Sequence, residues 1–276
     1  MAGSVPIFAR PAVDGVNGKI EGFVGAGQFR VVGPRNDSAN AAGLAGALSI
    51  PLGQSFGLQV DALAASRDGQ FAGGGAAHLF WRDPSKALFG VYGSYSRRDS
   101  DSTAFGRLGL EGAFYMSRFT IGGVAGFERT IANAGLVVVP GFGAFVTGGT
   151  KNRGFAAADF SWYATDNFKL SVGYRFWGGR SAGAAGLEYM MQTGQGASYS
   201  FFAEGRAGED RYLAGMAGVR VYFGQKDKTL IRRHREDDPP NYLREDLFAP
   251  RGTSVTPGGE PPFVDPCVAN PFACPG

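Results

Sequence analysis

From residue 168 to 177 the side chains alternate with a period of two: Phe168, Leu170, Val172, Tyr174 and Phe176 against Lys169, Ser171, Gly173 and Arg175. A helix would mix the two sets, so the segment is a strand with one apolar and one polar face. The preceding stretch sets Ala156, Ala158, Phe160 and Trp162 against Asp159 and Ser161, and Ala164-Thr165-Asp166-Asn167 reads as a tight polar turn between the two. The same grammar predicts strands near 19–30, 40–50, 55–66, 73–82, 87–97, 105–116, 118–129, 153–163, 168–177, 182–191, 197–206 and 211–223. Connections at 51–54, 83–86, 116–118, 165–167 and 193–196 are short, and those at 31–39 and 98–104 are longer. The longest, 130–152, is either an inward-folded loop interrupted by Pro140 and its glycines or an extra hairpin that raises the count to fourteen.

Consecutive antiparallel strands with an oily face remove their exposed edges by closing on themselves. A soluble sandwich would bury its aromatics in mid-strand. Here Trp81, Phe114, Trp162, Phe168 and Phe223 fall at strand ends beside the short turns, and Phe127 and Trp177 fall at the opposite ends. Two belts at headgroup level, with short turns on one side and longer loops on the other, are the marks of a membrane barrel. The expected fold is therefore all-β, a transmembrane antiparallel up-and-down β-barrel of about twelve strands over 19–223. A lead-in, 1–18, precedes it, and a charged, proline-rich tail, 224–276, follows.

Composition narrows the alternatives. Aromatics make up 13% of the 276 residues and glycines number 45, while charged residues are only 18%, which excludes disorder and a helical Leu/Glu/Lys composition. The longest apolar run, 135–146, contains Pro140 and is too short for a membrane helix, whereas alternation gives the observed mean hydropathy of -0.09. Net charge is +3, with basic residues scattered through the strands, which argues against nucleic-acid binding. Cys267 and Cys274 lack the further ligands of a zinc site and suit a local disulfide in an oxidising compartment, or two idle thiols. The first ten residues lack a basic stretch followed by an apolar one, so the sequence reads as mature or start-trimmed rather than as carrying a secretory signal.

The last predicted strand runs from Leu213 to Phe223, with Gly218, a hydrophobic Val221 three places on and Phe223 at its end. It resembles the C-terminal assembly signal of Gram-negative outer-membrane barrels, with Met216 where that signal usually has a polar residue and with 53 residues following it. The turn from Tyr163 to Phe168 is similar to periplasmic turns of porin-like proteins. The resemblance covers roughly 16–223. It implies insertion by the barrel-assembly machinery into outer-membrane lipid, with both termini periplasmic. It implies no substrate, since such barrels serve as channels, anchors and enzymes.

If apolar faces meet lipid, the lumen receives Glu21, Gln59, Asp61, His78, Arg82, Arg107, Glu111, Glu128, Asp159, Lys169, Arg175, Glu188, Glu204, Arg206 and Arg220. Charges there must meet water or one another. Small inward neighbours such as Gly25, Gly27, Gly43 and Ala45 leave space, which favours a narrow channel for passive diffusion of small hydrophilic solutes. In it, Arg82, Arg107, Arg175, Arg206 and Arg220 would face Glu111, Glu188 and Glu204 across the pore and set a transverse field. The alternative is a closed structural or adhesive barrel with a salt-bridged lumen. A third reading, a hydrolase built on His78 and Asp61, lacks a nucleophile and any Gly-x-Ser-x-Gly motif, so no enzyme is expected. No cofactor fingerprint, phosphate loop or calcium loop occurs, and Gly73-Gly74-Gly75 reads as turn flexibility. In the tail, a basic then acidic run ending in Pro239-Pro240 predicts a solvated periplasmic extension with room for one short helix; contact of Arg232, Arg233 and Arg235 with anionic headgroups or the cell wall is the less favoured alternative.

Overall fold

A computed structural model describes residues 10–32, 35–139, 143–192, 198–224 and 228–249. Twelve strands form one closed antiparallel sheet in which each strand pairs with its sequence neighbours and the last pairs with the first. They are β1 (Asn17–Val32), β2 (Arg35–Leu52), β3 (Phe56–Arg67), β4 (Gln70–Asp83), β5 (Ala87–Arg98), β6 (Thr103–Met116), β7 (Phe119–Val139), β8 (Gly143–Thr165), β9 (Phe168–Trp177), β10 (Arg180–Gln192), β11 (Ser198–Gly208) and β12 (Tyr212–Phe223). Closure runs through the register Gly18↔Phe223 to Gln28↔Leu213. No backbone edge is left, which is the condition for a sheet to stand in hydrocarbon. An even count returns both ends of the sheet, the start of β1 and the end of β12, to one mouth, here called the near mouth, which also carries the turns after β2, β4, β6, β8 and β10.

Burial follows the period-two pattern strand by strand. Large apolar side chains point outward, among them Leu108 at 68%, Leu110 at 70% and Phe127 at 80% exposure, while the residues between them are buried. Near-mouth aromatics form an outer girdle: Trp81 stacks on Phe89, Phe89 meets Phe114 edge-on, Phe119 stacks on Phe160, and Phe168 meets Tyr189. Trp162 and Phe223 are also exposed on this face. Trp177 departs from the expected belt. It points into the lumen and is 4% exposed, because it is one residue beyond Phe176 and shares the face of Lys169 and Arg175.

The segment 130–152 is neither a constriction loop nor an extra strand pair. β7 and β8 simply extend beyond their neighbours, paired in register from Gly135↔Thr147 to Val139↔Gly143 after an irregularity at Ala132, so the count stays at twelve. Continued pairing satisfies backbone groups that a folded-in loop would leave to find partners elsewhere. Pro140 lies outside the described residues. The expected contrast of short and long links is also weaker than the sequence suggested. Far-mouth turns at Asp68-Gly69 and Gly178-Gly179 have only two residues, each with positive φ, the conformation that a type I′ hairpin demands and that glycine accepts without strain.

The tail is not a solvated extension over 228–249. After β12, helix α1 (Leu230–Glu236) lies across the near mouth. There the Leu230 amide donates to Asn167 Oδ1 at 3.1 Å, the Ile231 amide to the Asp166 carbonyl at 3.1 Å, and Arg235 to the Phe119 carbonyl at 2.8 Å. The lead-in closes the same mouth: Val13 packs with Phe80, Leu88 and Tyr115, and the Asp14 amide donates to the Glu236 carbonyl. Beyond α1 the chain enters the barrel and ends the described part in a short 3-10 turn, η2 (Leu243–Leu247), followed by Phe248 and Ala249. Residues 241–249 are all buried, in one cluster with lumen-facing Phe23, Tyr92, Phe105, Phe155, Trp177 and Phe202. Burial of this apolar surface, with the charged groups of Arg244, Glu245 and Asp246 paired to the wall, outweighs solvation of the tail.

Candidate functional site: the occupied lumen

β3 measures how far the tail reaches. Near its start Gln59 Nε2 donates to the Pro239 carbonyl at 3.2 Å, and at its end Arg67 Nε donates to the Leu247 carbonyl at 2.9 Å. At roughly 3.4 Å per residue these eight steps span about 27 Å of strand, or about 20 Å along the axis of a barrel tilted as membrane barrels are. Arg98, the last residue of β5, holds the far end with bonds from Nη1 to the carbonyls of Asp246 at 2.8 Å and Ala249 at 2.7 Å. The chain therefore enters at the near mouth and reaches the far one.

The small inward residues on β1 receive this segment. A Cβ on Gly27 would stand 2.7 Å from Phe248 Cδ1, and one on Gly25 would stand 3.2 Å from its Cε2. The backbone notch thus fits an aromatic ring. Space that reads in the sequence as room for solute holds Phe248 instead. A polar cavity of about 170 Å³ remains between the tail and the wall, lined among others by Glu111, Asp159, Lys169 and Glu204.

All the charged residues assigned to the lumen face it, and they meet one another and the tail. Arg220 reaches Glu21 at 3.1 Å and Glu204 at 3.3 Å and also pairs with Glu188, while Arg244 of the tail reaches Glu21 at 2.7 Å and Glu204 at 3.0 Å. The two guanidinium groups lie 4.0 and 4.8 Å from the ring centroid of Phe202. Tyr222 and Ser200 hydroxyls each donate to Glu188 at 2.7 Å, and Lys169 stands 3.6 Å from it. Lys19 pairs with tail Asp238. Arg82 donates from Nη1 to the carbonyls of Ala12 and Asp237, so it clamps the lead-in and the tail together.

Nearer the far mouth, Arg107 donates from Nε to Glu128 at 2.8 Å and from Nη1 meets Asp246 at 2.6 Å, with the Trp177 ring centroid at 4.4 Å. Asp246 also accepts from Trp177 Nε1 at 2.9 Å and Ser96 Oγ at 2.5 Å. Arg175 bridges Asp159 at 2.9 Å and tail Glu245 at 3.0 Å, and Arg206 Nε lies 3.0 Å from the same Glu245. Charges of both signs are thus interleaved around the described wall and joined in ion pairs, with Arg206 and Arg220 next to carboxylates they were expected to face across a pore.

His78 does sit beside Asp61, at 3.1 Å from Nε2, but its Nδ1 is 2.8 Å from Glu111. With a carboxylate on each nitrogen, only the imidazolium donates to both. The ring stands between two buried carboxylates, packs on the Tyr92 ring at 4.9 Å, and among the described residues makes its side-chain hydrogen bonds with Asp61 and Glu111 rather than with a serine, threonine or cysteine. Among those residues no group of His, Cys, Asp and Glu is arranged to hold a metal ion. Arg233 is 1% exposed and stacks over Tyr222, whereas Arg232 pairs with Glu236 and keeps about two fifths of its side chain exposed. Cys267 and Cys274 lie outside the described residues.

No family model matches the chain, and no curated protein does either. Solved structures do match its shape. The translocator domain of the autotransporter NalP from Neisseria meningitidis is 14% identical with a TM-score of 0.53, over 76% of this chain and 88% of that one. An outer-membrane channel from Pseudomonas putida F1 is 9% identical with a TM-score of 0.50, over 80% of this chain and 99% of that one. With identities this low the likeness is one of fold. Taken with the closed twelve-strand sheet and its outward apolar belt, it gives this chain the fold of the Gram-negative outer-membrane β-barrels.

Proposed function

We propose that this protein is an outer-membrane barrel closed by its own C-terminal segment, with the near mouth and both ends of the barrel domain toward the periplasm. The segment 237–249 fills the lumen and brings Ala249 to the far mouth, which in this reading faces the cell surface. The observation that carries this reading is the run of wall-to-tail bonds from Gln59 to Arg67 and Arg98, which spans the barrel. The apolar exterior and the β12 signature support insertion in outer-membrane lipid by the barrel-assembly machinery. His78 acts here as an ion-pair hub, and no enzymatic activity is assigned. Passive diffusion of small hydrophilic solutes is the second reading, and it belongs to the barrel with the segment withdrawn. It is favoured by the polar wall that the tail covers.

Planar-bilayer recording of the refolded full chain tests the closed state. A silent bilayer is expected. Steady ohmic steps from the full chain would overturn the closed lumen.

A further inference from the structure

An uncharged strap would close a barrel as well as a charged one, yet residues 237–249 bring Asp237, Asp238, Glu245 and Asp246 against a single cation, Arg244. Glu245 and Asp246 are neighbours in η2, and each carboxylate has its own set of donors from the wall. Glu245 lies 3.0 Å from the Nε atoms of both Arg175 and Arg206. Asp246 takes Arg107 Nη1 at 2.6 Å, Trp177 Nε1 at 2.9 Å and Ser96 Oγ at 2.5 Å. These donors come from β5, β6, β9 and β11, so they stay with the barrel when the tail leaves.

We infer that the lumen wall carries a binding site for small solutes with two or more carboxylates, and that Glu245 and Asp246 occupy it in the closed barrel as an internal competitor. The inference rests on the reading that the segment closes the lumen. Withdrawing the tail leaves Arg107 with Glu128, Arg175 with Asp159 and Arg206 with Glu204 at 3.6 Å. Each of the three arginines then keeps one carboxylate and loses its second, and the wall as a whole loses the net negative charge that 237–249 supplied. Guanidinium groups match carboxylates in geometry as well as charge, and an indole N–H beside them adds a donor that accepts no competing proton. The emptied lumen would prefer anions, and anions with paired carboxylates most.

A protease site inserted between Phe223 and Lys228 in the full chain lets the barrel fold intact and be cut after insertion into a bilayer. Citrate is the probe, and glucose is the neutral control. Silent before cutting, the barrel is expected to conduct afterwards with chloride preferred over potassium, and citrate is expected to block it. Replacing Arg107, Arg175 and Arg206 together by Ala is expected to raise the half-blocking concentration about tenfold or more. A cut barrel that prefers potassium, or that citrate leaves untouched, overturns the inference while the closed-lumen reading stands. Conduction before cutting overturns the closed lumen, and citrate block then still tests the site.

Where cutting does not free the tail, the full-chain E245Q/D246N variant vacates the arginines without it. Citrate is expected to give a saturable change in Trp177 fluorescence in this variant, with Trp81 and Trp162 replaced by Phe. That change should weaken about tenfold in the additional presence of R107A. Absence of any saturable change refutes the site.

Discussion

Replacing Phe248 by Ala tests the docked tail at its apolar anchor. The ring has no exposed surface and fills a notch floored by Gly25 and Gly27, where the wall has no side chain with which to follow a smaller residue inward. A truncation of this kind in a packed interior costs about 3 to 5 kcal/mol, part of it lost transfer energy and part the cavity left behind. The alternative state here is an intact barrel with its tail in water, so the whole cost falls on docking. At about 3 kcal/mol the undocked population rises by roughly a hundredfold. Trypsin reads that population at Arg244, which is buried between Glu21 and Glu204 while docked. When opening is fast relative to cleavage, the rate of cutting follows the open fraction. Cleavage after Arg244 is expected to accelerate roughly a hundredfold in Phe248→Ala, while heat-modifiable migration of the barrel stays the same, and Phe248→Leu falls between the two. If Phe248→Ala is cut at the parental rate, Phe248 does not anchor the tail and the notch is empty.

Three further outcomes are expected. Asp246→Asn removes the anion shared by Arg107, Trp177 and Ser96 and should weaken docking by about 2 to 4 kcal/mol, read as increased iodide quenching of Trp177 in a background lacking Trp81 and Trp162. His78→Ala leaves Asp61 and Glu111 buried without their common cation and should cost the barrel about 3 to 5 kcal/mol, seen as a lower temperature for loss of the compact band on gels; an unchanged midpoint would argue against the ion-pair hub. Leu108→Arg puts a charge on the lipid face of β6 and should destabilise the barrel in liposomes by about 2 to 4 kcal/mol, whereas the same change at exposed, turn-proximal Met116 should cost much less.

The strand count and the inside-outside sorting were legible because a period of two leaves one choice per strand once one face is oily. The same parity places Trp177 inside, a signal that its position at a strand end outweighed in the sequence reading. The lumen residues were likewise legible as a set, but their pairings were not. Arg220 joins Glu21, Glu188 and Glu204 from three strands, and the register that brings them together is set by closure of β1 on β12.

What the chain's alternation determined by itself is a membrane barrel with its charges enclosed, since hydrocarbon tolerates neither open edges nor outward charge. Whether that enclosure is empty depended on the tertiary structure. Residues 237–249 look like a solvated strap by composition, because four carboxylates meet a single cation, Arg244, and two prolines interrupt the segment. Only after the sheet closes do Lys19, Arg107, Arg175 and Arg206 converge from separate strands to neutralise Asp238, Glu245 and Asp246, and only then do Gly25 and Gly27 form a notch for Phe248. These contacts join residues up to about two hundred positions apart, and no local pattern encodes them.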